Sequence, residues 1–483
     1  MSLATTLARL NARIAVKVTS ALGPSFMPFA DVATPDLTLA RLFRLSLFQV
    51  SCGMAVVLLI GTLNRVMIVE LGVPAWLVSV MVALPLIFAP IRALIGHKSD
   101  NHRSVLGWKR VPYLYLGTGL QFGGLAIMPF ALLVLSEPEL DVGLLGHFAA
   151  GLAFLMVGAG MHSVQTMGMS LATDLTPAKS HPRVVTMMCT MLLVGMLVSA
   201  GIFSLLLANF SAMRLIQVVQ GAAVVTLFLN LIAVWKQEAR DPSRTRGSAA
   251  GPRFLDAWLA YAREPGARRR LIAGGMGTMA FSMQDILLEP YGGEILGLPV
   301  AVTTGLTAVL AIGGLAGFLI SGRALARGIH PGRLAAIGVL VGVAAFTAVI
   351  FADPLQSGIV FAGGIVLIGL GAALFEVSML TAAMRAAAPG QVGLALGAWG
   401  AVQSFCAGSA IALGGIIRDV VASFAEAGAL GETLMAPAVG YSFVYHIEVY
   451  LLLVTLVAIG PLVRSARKDR TQPSLTFGTA EAS

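Results

Sequence analysis

Arg65, Asp285, Glu289 and Glu376 interrupt stretches of sequence that are otherwise almost free of charge. An ionised group inside a bilayer is expensive, so each is read first as an ion-pair partner, a proton relay or a ligand contact. Arg65 stands in LNRVMIVELG, and Asp285 and Glu289 share MQDILLEPYGGEILG. A pair between Arg65 and Glu289 or Asp285 would tie the outer ends of the first and seventh apolar segments. The plainer alternative is a static pair that only fixes helix orientation. Pro290, Gly292 and Gly293 follow Glu289 and are expected to break the helix there. Three histidines reach comparable depth: His147, His162 and His446. A neutral imidazole can ligate a metal through one nitrogen while the other donates to a partner. His162, with Gln165 on the adjacent turn face, suits that role, or else a hydrogen bond between helices. Glu376 falls opposite Gln165 when Asp174 is laid on Arg385, so the two either frame a central site or act as structural ties. Glu448 is two residues from His446 and faces elsewhere on a helix.

No Cys/His cluster has metal-ligand spacing, no glycine-rich loop carries a phosphate-binding lysine, and no nucleophile has a base in sequence context. The chain is therefore not expected to be an enzyme. Cys52, Cys189 and Cys406 sit singly in apolar runs and read as small core residues.

These groups must be positioned by membrane helices. Twelve apolar stretches run over 45–70, 74–96, 111–135, 143–174, 183–209, 213–235, 271–295, 300–322, 333–352, 356–385, 391–419 and 438–463. Roughly 20 apolar residues cross a hydrocarbon core, and a composition 57% hydrophobic and 11% charged leaves no soluble alternative. An all-α membrane protein follows. Of 32 Lys and Arg residues, all but Arg65, Arg214 and Arg418 fall on one side once the stretches alternate. That bias puts both termini in the cytoplasm, accounts for the +9 net charge without nucleic acid, and favours contact with anionic lipids. The chain divides into an amphipathic amino-terminal segment (1–44), a six-helix half (45–235), a linker (236–270), a second half (271–463) and a tail (464–483). Glycine pairs 119/123, 313/317 and 338/342 have the spacing of close helix contacts, read as intramolecular.

The halves look duplicated. Leu71–Pro74 (LGVP) recurs as Leu296–Pro299 (LGLP) at an offset of 225. Gly96 with Asp100 and Arg103 corresponds to Gly322 with Arg327, Ala326 taking the place of the aspartate. The G-x-x-x-D element, the duplication and the twelve segments together resemble the major facilitator superfamily fold, where this element gates the cytoplasmic side.

Longer motifs carry a narrower resemblance. LFRLSLFQVSCGMAVVLLIGTLNRVMIVELGVP, VALPLIFAPIRALIGHKSDNHRSVLGWKRVPYLYLGTGLQFGGLAIMPFAL, GAGMHSVQTMGMSLATDLTP and MQDILLEPYGGEILGL closely resemble the bacteriochlorophyll delivery family of light-harvesting assembly proteins, the PucC and LhaA type, over about residues 28–465. The amino-terminal segment and length look more like the core-antenna (LhaA) member. The resemblance implies an inner-membrane factor that brings bacteriochlorophyll to antenna α and β polypeptides, with His162 a candidate magnesium ligand. It extends to partners such as reaction centre–core antenna intermediates and bacteriochlorophyll synthase. A proton-coupled carrier of a chlorophyll-related or other amphipathic molecule, with Asp285, Glu289 and Glu376 as relays, is the alternative.

Overall fold

The computed structural model describes residues 38–87, 108–136, 144–176, 181–238, 266–386 and 392–471. Within them lie twelve main helices: α1 (Leu39–Glu70), α2 (Ala75–Ile87), α3 (Val111–Ser136), α4 (Leu144–Asp174), α5 (His181–Leu206), α6 (Ala212–Val234), α7 (Ala267–Glu294), α8 (Val300–Ala326), α9 (Pro331–Ala352), α10 (Gly358–Ala386), α11 (Val392–Glu426) and α12 (Ala438–Thr471). All but α2 have a described stretch long and apolar enough to cross a membrane, and α2 runs to the edge of the described residues. The protein is a multi-pass membrane bundle. The ends rich in Lys and Arg are called here the basic face, the opposite ends the far face.

Packing repeats as the sequence does. Within one half α1 packs on α5, α3 on α4 and α3 on α6; adding six to each number gives the contacts α7–α11, α9–α10 and α9–α12 in the other. The halves meet through α2 on α11 and α5 on α8, a pairing that the same operation maps onto itself. Lipid offers no hydrophobic drive between helices, so close backbone approach and polar ties must hold them. A Cβ added to Gly313 would lie 2.1 Å from Val366 O, and one on Gly369 2.2 Å from Leu310 O, so α8 and α10 touch backbone to backbone. In the first half Ser51, Gln121 and Asn230 join α1, α3 and α6 through buried hydrogen bonds of 2.6–3.3 Å.

Three expectations change. The pairs 313/317 and 338/342 do form intramolecular contacts, but α3 meets α4 through Gly117 and Gly124, while a Cβ added to Gly119 would meet no described residue within 4 Å. Helix α1 starts at Leu39 rather than in the forties: Thr38 caps it, and Arg41 and Arg44 bind Gln237 and Trp235 beyond the end of α6 at 2.8–2.9 Å. The last residues of the expected amino-terminal segment therefore belong to the bundle, while its amphipathic stretch lies outside the described residues. The helix break in α7 falls at Met283–Ile286, a 3-10 turn, and residues Leu288–Glu294 resume the α-helix straight through Pro290. Proline is tolerated in a first turn, where its missing N–H has no intrahelical acceptor to satisfy.

On the basic face Glu238 caps α3. Its carboxylate accepts the backbone N–H groups of Lys109, Arg110 and Val111 at 2.8–3.2 Å, while Arg110 pairs with Asp174 at the end of α4 (2.9 Å). Three orphan donors and a helix dipole converge on one carboxylate. Glu238→Ala is expected to lower stability by about 1–2 kcal/mol, measured by thermal unfolding in detergent, with Glu238→Gln recovering part. An unchanged midpoint would mean that water caps the helix equally well.

Candidate functional site

The polar centre is the seam where α1 meets α7. Helix α1 carries two π-helical stretches, Val57–Thr62 and Val66–Glu70. Subtracting the 225-residue repeat offset places the 3-10 turn Met283–Ile286 on residues 58–61, within the first of them. Both repeats thus leave regular α-geometry at the same height. Such irregular backbone survives at membrane depth only where protein groups satisfy it. Pro290 has no N–H for the carbonyl of Ile286, and Asn64 Nδ2 donates to that oxygen (3.3 Å) and to Asp285 O (3.4 Å). From α12, fully buried Glu448 accepts the Gln284 N–H at 2.6 Å. Glu289 is buried, accepts from the Thr307 hydroxyl and packs against Gly61, leaving its second oxygen without a hydrogen bond to any described residue. Asp285 takes the Gln284 side-chain amide and stands within electrostatic reach of Glu376 and Glu448. None of these four carboxylates makes an ion pair with a described residue.

Between the halves lies a cavity of about 140 Å³. Val56, Ile60 and Met196 line it from one side, and Asp285, Leu288, Glu289 and Thr307 from the other. Glu376 is held aside by Gln403 on α11 (3.0 Å), and Gln165 by Gln49 on α1 (3.5 Å). Neither lines this cavity.

Arg65 does not pair with Glu289 or Asp285. Its guanidinium binds Glu70, five residues on, and the carbonyl of Leu298 in the α7–α8 connection (3.3 Å). The cause is the π-helical turn: i→i+5 bonding brings Glu70 around toward Arg65, where an α-helix would carry it away. Gly293 lets the guanidinium lie against the α7 backbone; a Cβ there would be 2.9 Å from Nε. Arg65 still crosses from one half to the other, but to a carbonyl. The far face holds a second tie: Arg418 of α11 binds Glu294 (2.6 Å), Asp419 (2.8 Å) and the Tyr441 hydroxyl (3.2 Å), and Asp419 accepts the backbone N–H of Trp76 on α2 (2.7 Å). Sequence reasoning misses it. The individual charges are visible in the sequence; their convergence from separate segments is not.

The histidines separate. His162 is buried in α4, and His147 is exposed near that helix's far-face end. His446 faces outward from α12. Its Nδ1 lies 2.7 Å from the carbonyl of Ser442, one turn back. Gly96, Asp100 and Arg103 lie outside the described residues; Gly322 and Arg327 are exposed at the end of α8.

Comparison with known proteins bears on both fold and kinship. Residues 62–467 match the family described as PUCC protein. The chain is 54% identical to "Protein PucC" of Rhodovulum sulfidophilum over 85% of this chain and 91% of that one. It is 51% identical to an uncharacterized protein of the puhA-bchM intergenic region of Rhodobacter capsulatus, covering 93% and 94%. Among solved structures it resembles the inward-facing bacterial homologue of the lysosomal transporter Spinster (TM-score 0.67, 15% identity, 90% and 98% covered). It resembles a D-xylose–proton symporter as well (TM-score 0.67, 15% identity, 87% and 96% covered). At that identity the likeness establishes the major facilitator fold alone.

Proposed function

Since the chain belongs to the PUCC protein family of photosynthesis-related membrane proteins, we propose that it assists assembly of a light-harvesting complex, binding bacteriochlorophyll and antenna α and β polypeptides at its lateral surface. The observation that carries this reading is the size of the central cavity. At about 140 Å³ it falls short of the roughly 300–1,000 Å³ that encloses an ordinary small ligand. A tetrapyrrole with a long hydrocarbon tail needs more still. Among the described residues a wider recess, of about 590 Å³, opens at the surface between α5 and α6, beside Ile202, Leu205 and Val225. In this reading the basic face lies in the cytoplasm of the photosynthetic bacterium, as the positive-inside rule directs.

Purification of the tagged chain from phototrophic membranes in mild detergent tests it. The expected preparation absorbs as bacteriochlorophyll and contains small antenna polypeptides, whose sequences identify core or peripheral antenna. A preparation reproducibly free of both overturns the reading.

A proton-coupled carrier is favoured by one specific observation: Glu289 is buried beside the cavity with an oxygen that no described residue satisfies. Such a group is suited to take and release a proton. If the carrier reading holds, Glu289→Gln stops pH-gradient-driven uptake into vesicles. If lateral assembly holds, the same variant copurifies with pigment as the parent does.

A further inference from the structure

We infer that His446 is an axial ligand for the magnesium of a chlorin bound flat on the lipid-facing surface of α12, between Phe443 and Tyr450. The inference rests on the pigment-handling role proposed above and goes further by naming the atoms.

The hydrogen bond to Ser442 settles which nitrogen is available. A backbone carbonyl can only accept, so Nδ1 of His446 must carry the proton and donate to Ser442 O at 2.7 Å. In the neutral ring Nε2 is then an acceptor only. It makes no hydrogen bond to the described residues, and His446 is exposed. An imidazole held by its second nitrogen, with a lone pair presented outward, is the usual arrangement of a histidine metal ligand. It also selects among ligands: Nε2 cannot donate to a quinone or a carboxylate, whereas it can bind a Lewis-acidic centre.

The surroundings fit a flat apolar ring. Phe443, three residues before His446, is 50% exposed, and Tyr450, four residues after it, is 65% exposed. At these spacings all three occupy one helical stripe. The stripe continues through Leu453, Val454 and Val457, which present an apolar track for a hydrocarbon tail. His446 lies about 12 Å along the axis from the start of the helix at Ala438, and Tyr450 about 6 Å further on. A tyrosine hydroxyl facing hydrocarbon without a partner is costly. The carbonyl substituents at the edge of a bacteriochlorin would accept its hydrogen bond. One acceptor for the metal, one donor for the rim and an aromatic flank thus share a surface that otherwise faces lipid.

His162, by contrast, is buried in α4, and the Tyr291–Tyr441–Tyr445 cluster is packed inside the second half.

The test compares the parent with His446→Leu and Tyr450→Phe, both compatible with a lipid-facing site. Each is purified in mild detergent and incubated with bacteriochlorophyll or with its magnesium-free analogue. The parent is expected to hold the magnesium pigment at least about tenfold better than the analogue, with an absorption band shifted from that of free pigment. His446→Leu abolishes that preference at an unchanged thermal unfolding midpoint. Tyr450→Phe retains binding and moves the band. If the parent binds pigment and His446→Leu binds it with the same metal preference, the ligand assignment is wrong and the assembly role stands. If the parent binds no pigment at all, the role itself falls, and this site with it.

Discussion

Glu448→Ala is expected to destabilise the bundle by about 3 kcal/mol, the upper end of the cost of an orphaned buried donor, while Glu448→Gln stays at or above the parent. The difference lies in what the Gln284 amide can bond to. Beside the 3-10 turn this N–H is satisfied from another helix, by Glu448 Oε1 at 2.6 Å. A buried donor left without a partner costs about 1–3 kcal/mol, and truncation adds a void that neighbours fill only in part. Glutamine keeps the accepting oxygen and replaces Oε2, an atom without a hydrogen bond to any described residue, by an amide group. Glu448→Leu restores volume but not the acceptor and should fall between the two. Unfolding by titration with a denaturing detergent reads all three. An alanine variant as stable as the glutamine variant would show that the turn does not depend on α12.

Gly369→Leu should exceed about 3 kcal/mol, the upper range for overpacking a well-fitted interior, and leave little folded protein. Its Cβ would start 2.2 Å from Leu310 O and 2.9 Å from Gly314 N, both backbone atoms that no rotamer change can move. The α8–α10 crossing would have to separate. Gly363, on the same helix, has no described residue within 4 Å of the place a Cβ would take. Gly363→Ala is therefore expected to be neutral or slightly stabilising, since alanine loses less conformational freedom in a helix. Equal losses at 363 and 369 would mean that the close α8–α10 crossing does not set the cost.

What the sequence discloses and what it withholds divide along physical lines. Segment length, hydropathy and the 225-residue offset are one-dimensional signals, and they yield the helices, the duplication and the seam between α1 and α7. Glycine spacing names a ridge but not the ridge that faces a neighbour, so it points to Gly119 and Gly123 where Gly117 and Gly124 make the close contact. The Arg65 partner is hidden because an α-helical turn is the natural assumption, and the π-helical stretch changes which residue lies above the guanidinium. Pro290 reads as a breaking point although it stands in the first turn of the resumed helix. Glu448 is visible as a lone charge in an apolar run; its acceptor role follows only once Gln284 is known to sit beside a 3-10 turn across the bundle.

The two far-face ties share an asymmetry. In each, one half contributes a side chain, Arg65 or Asp419, and the other only main chain, Leu298 O or Trp76 N–H. Position 298 can therefore change its side chain without unfastening the seam, and so can position 76 unless proline removes the donor. Drift is tolerated on the backbone side of each fastening and punished on the side-chain side, so a scan of substitutions across both should give opposite sensitivities at residues in direct contact.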